Sequence, residues 1–158
     1  MAEIKKAAIG LSGAALIAVA LLKPFEGEYL KAYFDPPKIP SICYGHTKGV
    51  KITDIATDDQ CQIYLGQDTM EADLATHRLI NVKISDKTRA AFISFIFNAG
   101  EGRFASSTML KKLNSGDIAG ACNELSKWVY AGGKVLPGLV KRREAEKKLC
   151  LSGISDNL

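Results

Sequence analysis

The first long feature of the hydrophobic pattern is an uncharged run from Ala7 to Leu22, bounded by Lys5 and Lys6 on one side and Lys23 on the other. As a helix rising about 1.5 Å per residue it is about 24 Å long, against a hydrocarbon core of about 30 Å, which makes it marginal as a span. Alanine and glycine dilute the run, leaving Ile9, Leu11, Leu16, Ile17, Val19, Leu21 and Leu22 to hold it in lipid. Its apolar residues lie all round a helix rather than in one stripe, which speaks against an amphipathic helix of a cytosolic protein. The small residues of Ala18-Val19-Ala20 suit a signal-peptide cleavage site, but Leu21-Leu22-Lys23-Pro24 is a poor mature start. The pattern therefore predicts an uncleaved, weakly held signal anchor over residues 1–23, with Met1 on the cytoplasmic side and everything after Lys23 outside.

Beyond Pro24 the pattern changes. Pro36, Pro37 and Pro40 stand among alternating apolar residues ahead of a Gly45-His46-Thr47 turn, which predicts a small β-hairpin region over 34–53, with Glu26 at a helix start before it. Thr57-Asp58-Asp59-Gln60 opens a helix that continues with Cys61, Leu65, Thr69 and Ala72 on one face. Ser85 to Asn98 gathers Ala91, Phe92, Phe95 and Ile96 into a central core helix ended by Gly100 and Gly102. Further helices are predicted over 107–114, from the N-cap Asp117 to Trp128, and over 137–151 with Pro137 in its first turn. The expected architecture is α+β over 24–158, a small β-hairpin lobe plus a mostly helical lobe, preceded by the N-terminal hydrophobic helix.

With 158 residues, 47 % hydrophobic and 24 % charged, the composition is that of a folded body and excludes disorder or a multi-span membrane protein. The net charge of +4 is too modest for a dedicated nucleic-acid binder. His46 and His77 are the only histidines and no C-x-x-C occurs, so no metal set stands out; no phosphate-binding glycine loop or G-x-S-x-G elbow occurs either, and no cofactor is expected. What remains is carboxylate chemistry. A glycosidase needs one protonated carboxyl for the leaving oxygen and a second, ionised one across a cleft. Glu26 after Pro24-Phe25 and Asp35 after Tyr33-Phe34 can supply that pair, although among eight Glu and nine Asp such a spacing also arises by chance.

Context makes the spacing specific. The stretches Glu26-Gly27-Glu28-Tyr29-Leu30-Lys31-Ala32-Tyr33-Phe34-Asp35 and Ile39-Pro40-Ser41-Ile42-Cys43-Tyr44-Gly45-His46-Thr47 resemble the active-site segment of the phage-type lysozymes, glycoside hydrolase family 24. That family's signature is Glu, eight residues, Asp, five residues, Thr, then a Gly-His turn. Asn98-Ala99-Gly100, Trp128-Val129-Tyr130-Ala131-Gly132-Gly133 and Arg142-Arg143-Glu144 resemble the helical half of lambdoid-phage endolysins, and with the N-terminal run the chain is similar to signal-anchor-release endolysins. The resemblance implies a two-lobed lysozyme fold and a muramidase that cleaves between N-acetylmuramic acid and N-acetylglucosamine in peptidoglycan with inversion, lysing the host cell. Glu26 would be its general acid, Asp35 the carboxylate that handles water, and Ser41 the hydroxyl partner of Asp35. Ser41 replaces the family's Thr, keeping the hydroxyl but losing the methyl that restricts its rotamer.

The resemblance also implies partners: peptidoglycan, the export machinery, and the inner membrane through residues 7–22, with a monomeric enzyme first tethered facing the periplasm and then released. Four cysteines suit that compartment. Chain proximity favours Cys43 with Cys61, and antiparallel helix packing favours Cys122 with Cys150; a regulatory role for Cys43, close to Ser41, stays open. Lys141, Arg142, Arg143, Lys147 and Lys148 form either an attractor for the anionic wall or a solvated helix face. Trp128, Tyr130 and Arg142 are candidate substrate contacts, with a core role the alternative for Trp128. A catalytically silent wall-binding module of the same fold and a membrane-associated structural protein are the competing readings.

Overall fold

Ser12, Thr57, Ser85, Ser107 and Asp117 each turn a side-chain oxygen onto the backbone N–H three residues on, at Ala15, Gln60, Thr88, Leu110 and Gly120. Each satisfies a donor that the first helical turn leaves unpaired and so fixes where a helix begins. In the computed structural model, which describes residues 10–157, the helices are α1 (Gly13–Glu26), α2 (Asp58–Leu79), α3 (Asp86–Ala99), α4 (Glu101–Ala105), α5 (Thr108–Asn114), α6 (Ile118–Glu124) and α7 (Pro137–Ser152). Strands β1 (Tyr29–Phe34) and β2 (Pro40–Cys43) pair antiparallel, with Tyr29 opposite Cys43, Tyr33 opposite Ser41 and Phe34 opposite Pro40. A second antiparallel pair joins β3 (Tyr130–Ala131) to β4 (Lys134–Val135).

Helix α3 is the axle. Ala90, Ala91, Phe92, Ile93 and Phe95 are all fully buried, and α1, α2 and α7 pack around them. The main core adds Phe104, Met109, Leu113 and Leu125. A second cluster of Leu22, Ile42, Cys43, Tyr44, Cys61 and Leu65 fills the small lobe, with Phe97 of α3 and Val19 of α1 against it. Cys43 is bonded to Cys61, tying β2 to α2, and Cys122 to Cys150, tying α6 to α7, as the sequence favoured.

The structure corrects several boundaries. The hairpin lies over 29–43, earlier than the predicted 34–53, because β1 begins within three residues of Glu26 and pairs on its other edge with residues 54–56. Glu26 ends a helix instead of starting one. Pro24 sits inside the last turn of α1, and Gly27, at φ 68°, stops the helix. The helix after Asp117 ends at Glu124 and tightens into a 3-10 turn over Leu125–Lys127, and Gly132-Gly133 turn a two-residue hairpin.

The predicted anchor over 1–23 falls partly on residues 1–9, outside the described residues. From Gly13 onward it forms the first part of α1, with Ala14, Ala15, Ala18 and Leu22 buried and Leu16 exposed. The expected boundary at residue 23 thus falls within a continuous helix. Among the described residues no helix is long and apolar enough to cross a membrane.

Candidate active site

Glu26 reaches its place through the end of α1, while β1 and β2 deliver Asp35 and Ser41. Lys23 donates to the Gln62 side chain at 3.1 Å and lies over the Tyr44 ring, and Gln62 donates to the Tyr44 hydroxyl at 3.1 Å. These contacts lock the final turn of α1 against α2 and β2. At the other side Gly45, at φ 78°, brings backbone against the Glu26 carboxylate: a Cβ there would stand 3.3 Å from Oε2. The Gly-His turn singled out in the sequence is therefore the wall behind Glu26. It is braced by His46, whose ring lies 2.8 Å from the Asp68 carboxylate and stacks on Tyr64 at 4.0 Å. Burial raises the pKa of Asp68, against the lowering effect of His46.

Asp35 occupies the mouth of the β1–β2 hairpin. Its Oδ1 accepts the backbone N–H of Ile39 at 2.9 Å and its Oδ2 accepts the Ser41 hydroxyl at 3.1 Å, so both oxygens have a fixed direction. Ser41 is buried, in register with Tyr33 across the hairpin. Burial first, then the charges of Tyr29, Glu26 and Asp35, hold the Tyr33 phenol above its ordinary range. Of the residues nominated from spacing and resemblance, Asp35 and Ser41 are joined by a hydrogen bond across the hairpin, and Glu26 stands at the end of α1 against Gly45. A cleft of about 290 Å³ is lined by Gly45, Thr47 and Lys48, by Asp68 and Glu71 of α2 and by Phe97 of α3.

The substrate-contact candidates separate. Trp128 packs edge-on against Phe95 at 5.2 Å as part of the core margin, while Tyr130 stands exposed on β3. Arg142 does something else. It is 3 % exposed, its Nη1 donates to Glu26 Oε1, and its Nη2 donates to the Ser94 carbonyl at 3.1 Å. Arg143 is buried too, donating to Asn98, Glu146 and the Trp128 carbonyl and lying over the Phe95 ring. Neither arginine belongs to the solvated face that the basic run suggested. Sequence reasoning missed Glu146, which is fully buried between them; an Arg-Arg-x-x-Glu spacing on one helix face was the available signal. Among the described residues no group of His, Cys, Asp and Glu is arranged to hold a metal ion.

Comparison with known proteins gives the same picture. The sequence profile of the family described as Phage lysozyme matches residues 23–146. The SAR-endolysin of Bacteriophage PS119 is 38 % identical over 154 residues, covering 97 % of this chain and 92 % of that protein. Among solved structures, the muramidase domain of SpmX from Asticaccaulis excentricus superposes with a TM-score of 0.79 at 29 % identity, covering 85 % of this chain and 95 % of that one. The active form of the P1 phage endolysin Lyz gives a TM-score of 0.78 at 25 % identity, over 87 % and 84 % of the two chains.

Proposed function

The chain belongs to the phage lysozyme family, and we propose that it is a glycoside hydrolase of the muramidase type in which Glu26, Asp35 and Ser41 carry out the hydrolysis of peptidoglycan. The observation that carries the residue assignment is that the two carboxylates are held differently. Glu26 rests on a buried guanidinium at a helix end, while Asp35 is aimed by a hydroxyl and a backbone N–H at a strand mouth. Glu26, once protonated, donates to the glycosidic oxygen of the leaving N-acetylglucosamine as the bond to the muramic carbon breaks. Asp35, oriented by Ser41, positions the water that adds to that carbon and receives its proton. Glu26→Gln is expected to lower wall lysis by about a hundredfold or more with the fold intact. Undiminished lysis, or tight binding to wall sacculi with no turnover in the wild type, would reject the assignment.

The reading extends to the membrane. Residues 1–23 act as a signal anchor in the host inner membrane, facing the periplasm, and 24–158 as the catalytic part that is freed when the anchor leaves the bilayer. The apolar composition of the first part of α1 and the SAR-endolysin relatives support this. Four residues, about 6 Å of helix, separate Leu22 from Glu26, so lipid that held Leu22 would draw the acid to the membrane face and leave the core without Ala14, Ala18 and Leu22. Cell fractionation before and after depolarisation tests it: the full-length protein is expected to move from membrane to soluble fraction, and a processed N-terminus or a protein soluble throughout would reject it.

A further inference from the structure

Four charged side chains line up across the back of the site, and the roles proposed for the two acids use only one of them. Helix α7 turns the adjacent Arg142 and Arg143, with Glu146 one turn further on, toward the interior, and Arg142 continues to Glu26 at the end of α1. Glu146 is fully buried, one of the largest such side chains in the molecule. Its Oε1 accepts from Arg143, while its Oε2 stands 3.7 Å from the Nε of Arg142, beyond hydrogen-bond distance. Arg142 is therefore one guanidinium between two carboxylates. Its Nη1 edge is given to Glu26, and its Nε edge points at an anion just beyond hydrogen-bond range.

We propose that Glu146 is a positioning residue for hydrolysis: by competing with Glu26 for Arg142, it weakens the hold of that guanidinium on Glu26 and lets Glu26 carry the proton it must donate. The chemistry demands such a device. A general acid works only while protonated, and a buried arginine in contact with it favours the ionised form. An anion on the far side of the same arginine offsets that pull. The titratable groups facing Glu146 are Arg142 and Arg143 from its own helix and, through Arg142, Glu26 from α1. Helix α3 adds only the neutral Ser94 and Asn98, and the segment after α6 adds the Trp128 carbonyl. Burial raises the pKa of Glu146, opposed by the two guanidiniums.

The inference rests on the muramidase reading, and its test separates the two. In Glu146→Gln the offsetting charge is lost and Arg142 holds Glu26 ionised more firmly. The alkaline limb of the pH dependence of kcat/KM for wall lysis is then expected to move down by about one unit, which is about a tenfold lower rate on that limb. The rate on the acid side should stay within about twofold, and Glu146→Asp, which retains the charge, should bring the limb most of the way back. A variant protein that keeps its fold and whose profile overlays the wild type overturns the inference, as does an equal fall at every pH. If Glu146→Gln does not fold, carboxyl carbon NMR of the wild-type and Glu146→Asp chains decides. The Glu26 resonance, identified by its loss in Glu26→Gln, must titrate at lower pH in Glu146→Asp than in the wild type, because the shorter side chain withdraws the anion from Arg142, and an unmoved midpoint overturns the inference. Full lysis by Glu26→Gln would instead bring down the underlying assignment.

Discussion

At the scale of single residues, the site is set by what each carboxylate touches. Ser41 is the clearest case, because its hydroxyl gives Asp35 one of its two fixed donors, the other being the Ile39 amide. Ser41→Ala leaves the amide in place and removes about 1 kcal/mol of orienting interaction, so kcat is expected to fall about fivefold with little change in KM in a wall-turbidity assay. That Asp35 and Ser41 meet was legible in the sequence, since hairpin pairing brings close what lies six residues apart, and the Gly-His turn stands against Glu26. The role of Arg142 was not legible. A basic side chain in a run with Lys141, Lys147 and Lys148 gives no sign of which member faces inward. Only the docking of α7 on α3 decides that Arg142 and Arg143 are buried while their neighbours are not.

At the scale of elements, capping side chains made the helices readable: Thr57, Ser85, Ser107 and Asp117 each begin a helix where the sequence expected one. Helix α1 was harder. Its apolar residues point in every direction, yet Ala14, Ala18 and Leu22 form a buried seam joining both cores, because small residues let the helix lie close to its neighbours. Leu22→Ala is expected to cost about 2–5 kcal/mol in denaturant unfolding, since the void opens between lobes that cannot readily collapse. The corner between α5 and α6 carries a charge effect. Glu124 is buried, and hydrogen bonds from Lys112 and Lys127 hold its pKa below the usual 4.5. A lowered folded-state pKa contributes stability that is complete above 4.5 and is lost as pH falls through the folded value. Wild type is therefore expected to exceed Glu124→Gln in unfolding free energy at neutral pH, with the gap closing in urea titrations taken progressively below pH 4.5.

At the scale of the whole molecule, two lobes share α3 and are each fastened by a disulfide. Closing loops of 18 and 28 residues contributes about 3–4 kcal/mol per bridge by the chain-entropy argument. Replacing Cys122 and Cys150 with alanine is expected to lower unfolding stability by about that amount with lysis retained. Replacing Cys43 and Cys61 is expected to cost lysis as well, because that bridge holds the strand that carries Ser41. The sequence by itself determined the helix starts, the lobe order, the cysteine partners and the pairing of Asp35 with Ser41, because capping, periodicity and short chain separations are local properties. It placed the hairpin too late and read Glu26 as a helix start, because strand register and helix ends depend on what packs beside them. Tertiary structure alone decided that the apolar first part of α1 is a seam of the core and that a row of four charges runs from Glu26 to Arg143. Burial is a property of how helices dock, and residues 26 and 142 become neighbours only when the two ends of the chain meet on α3.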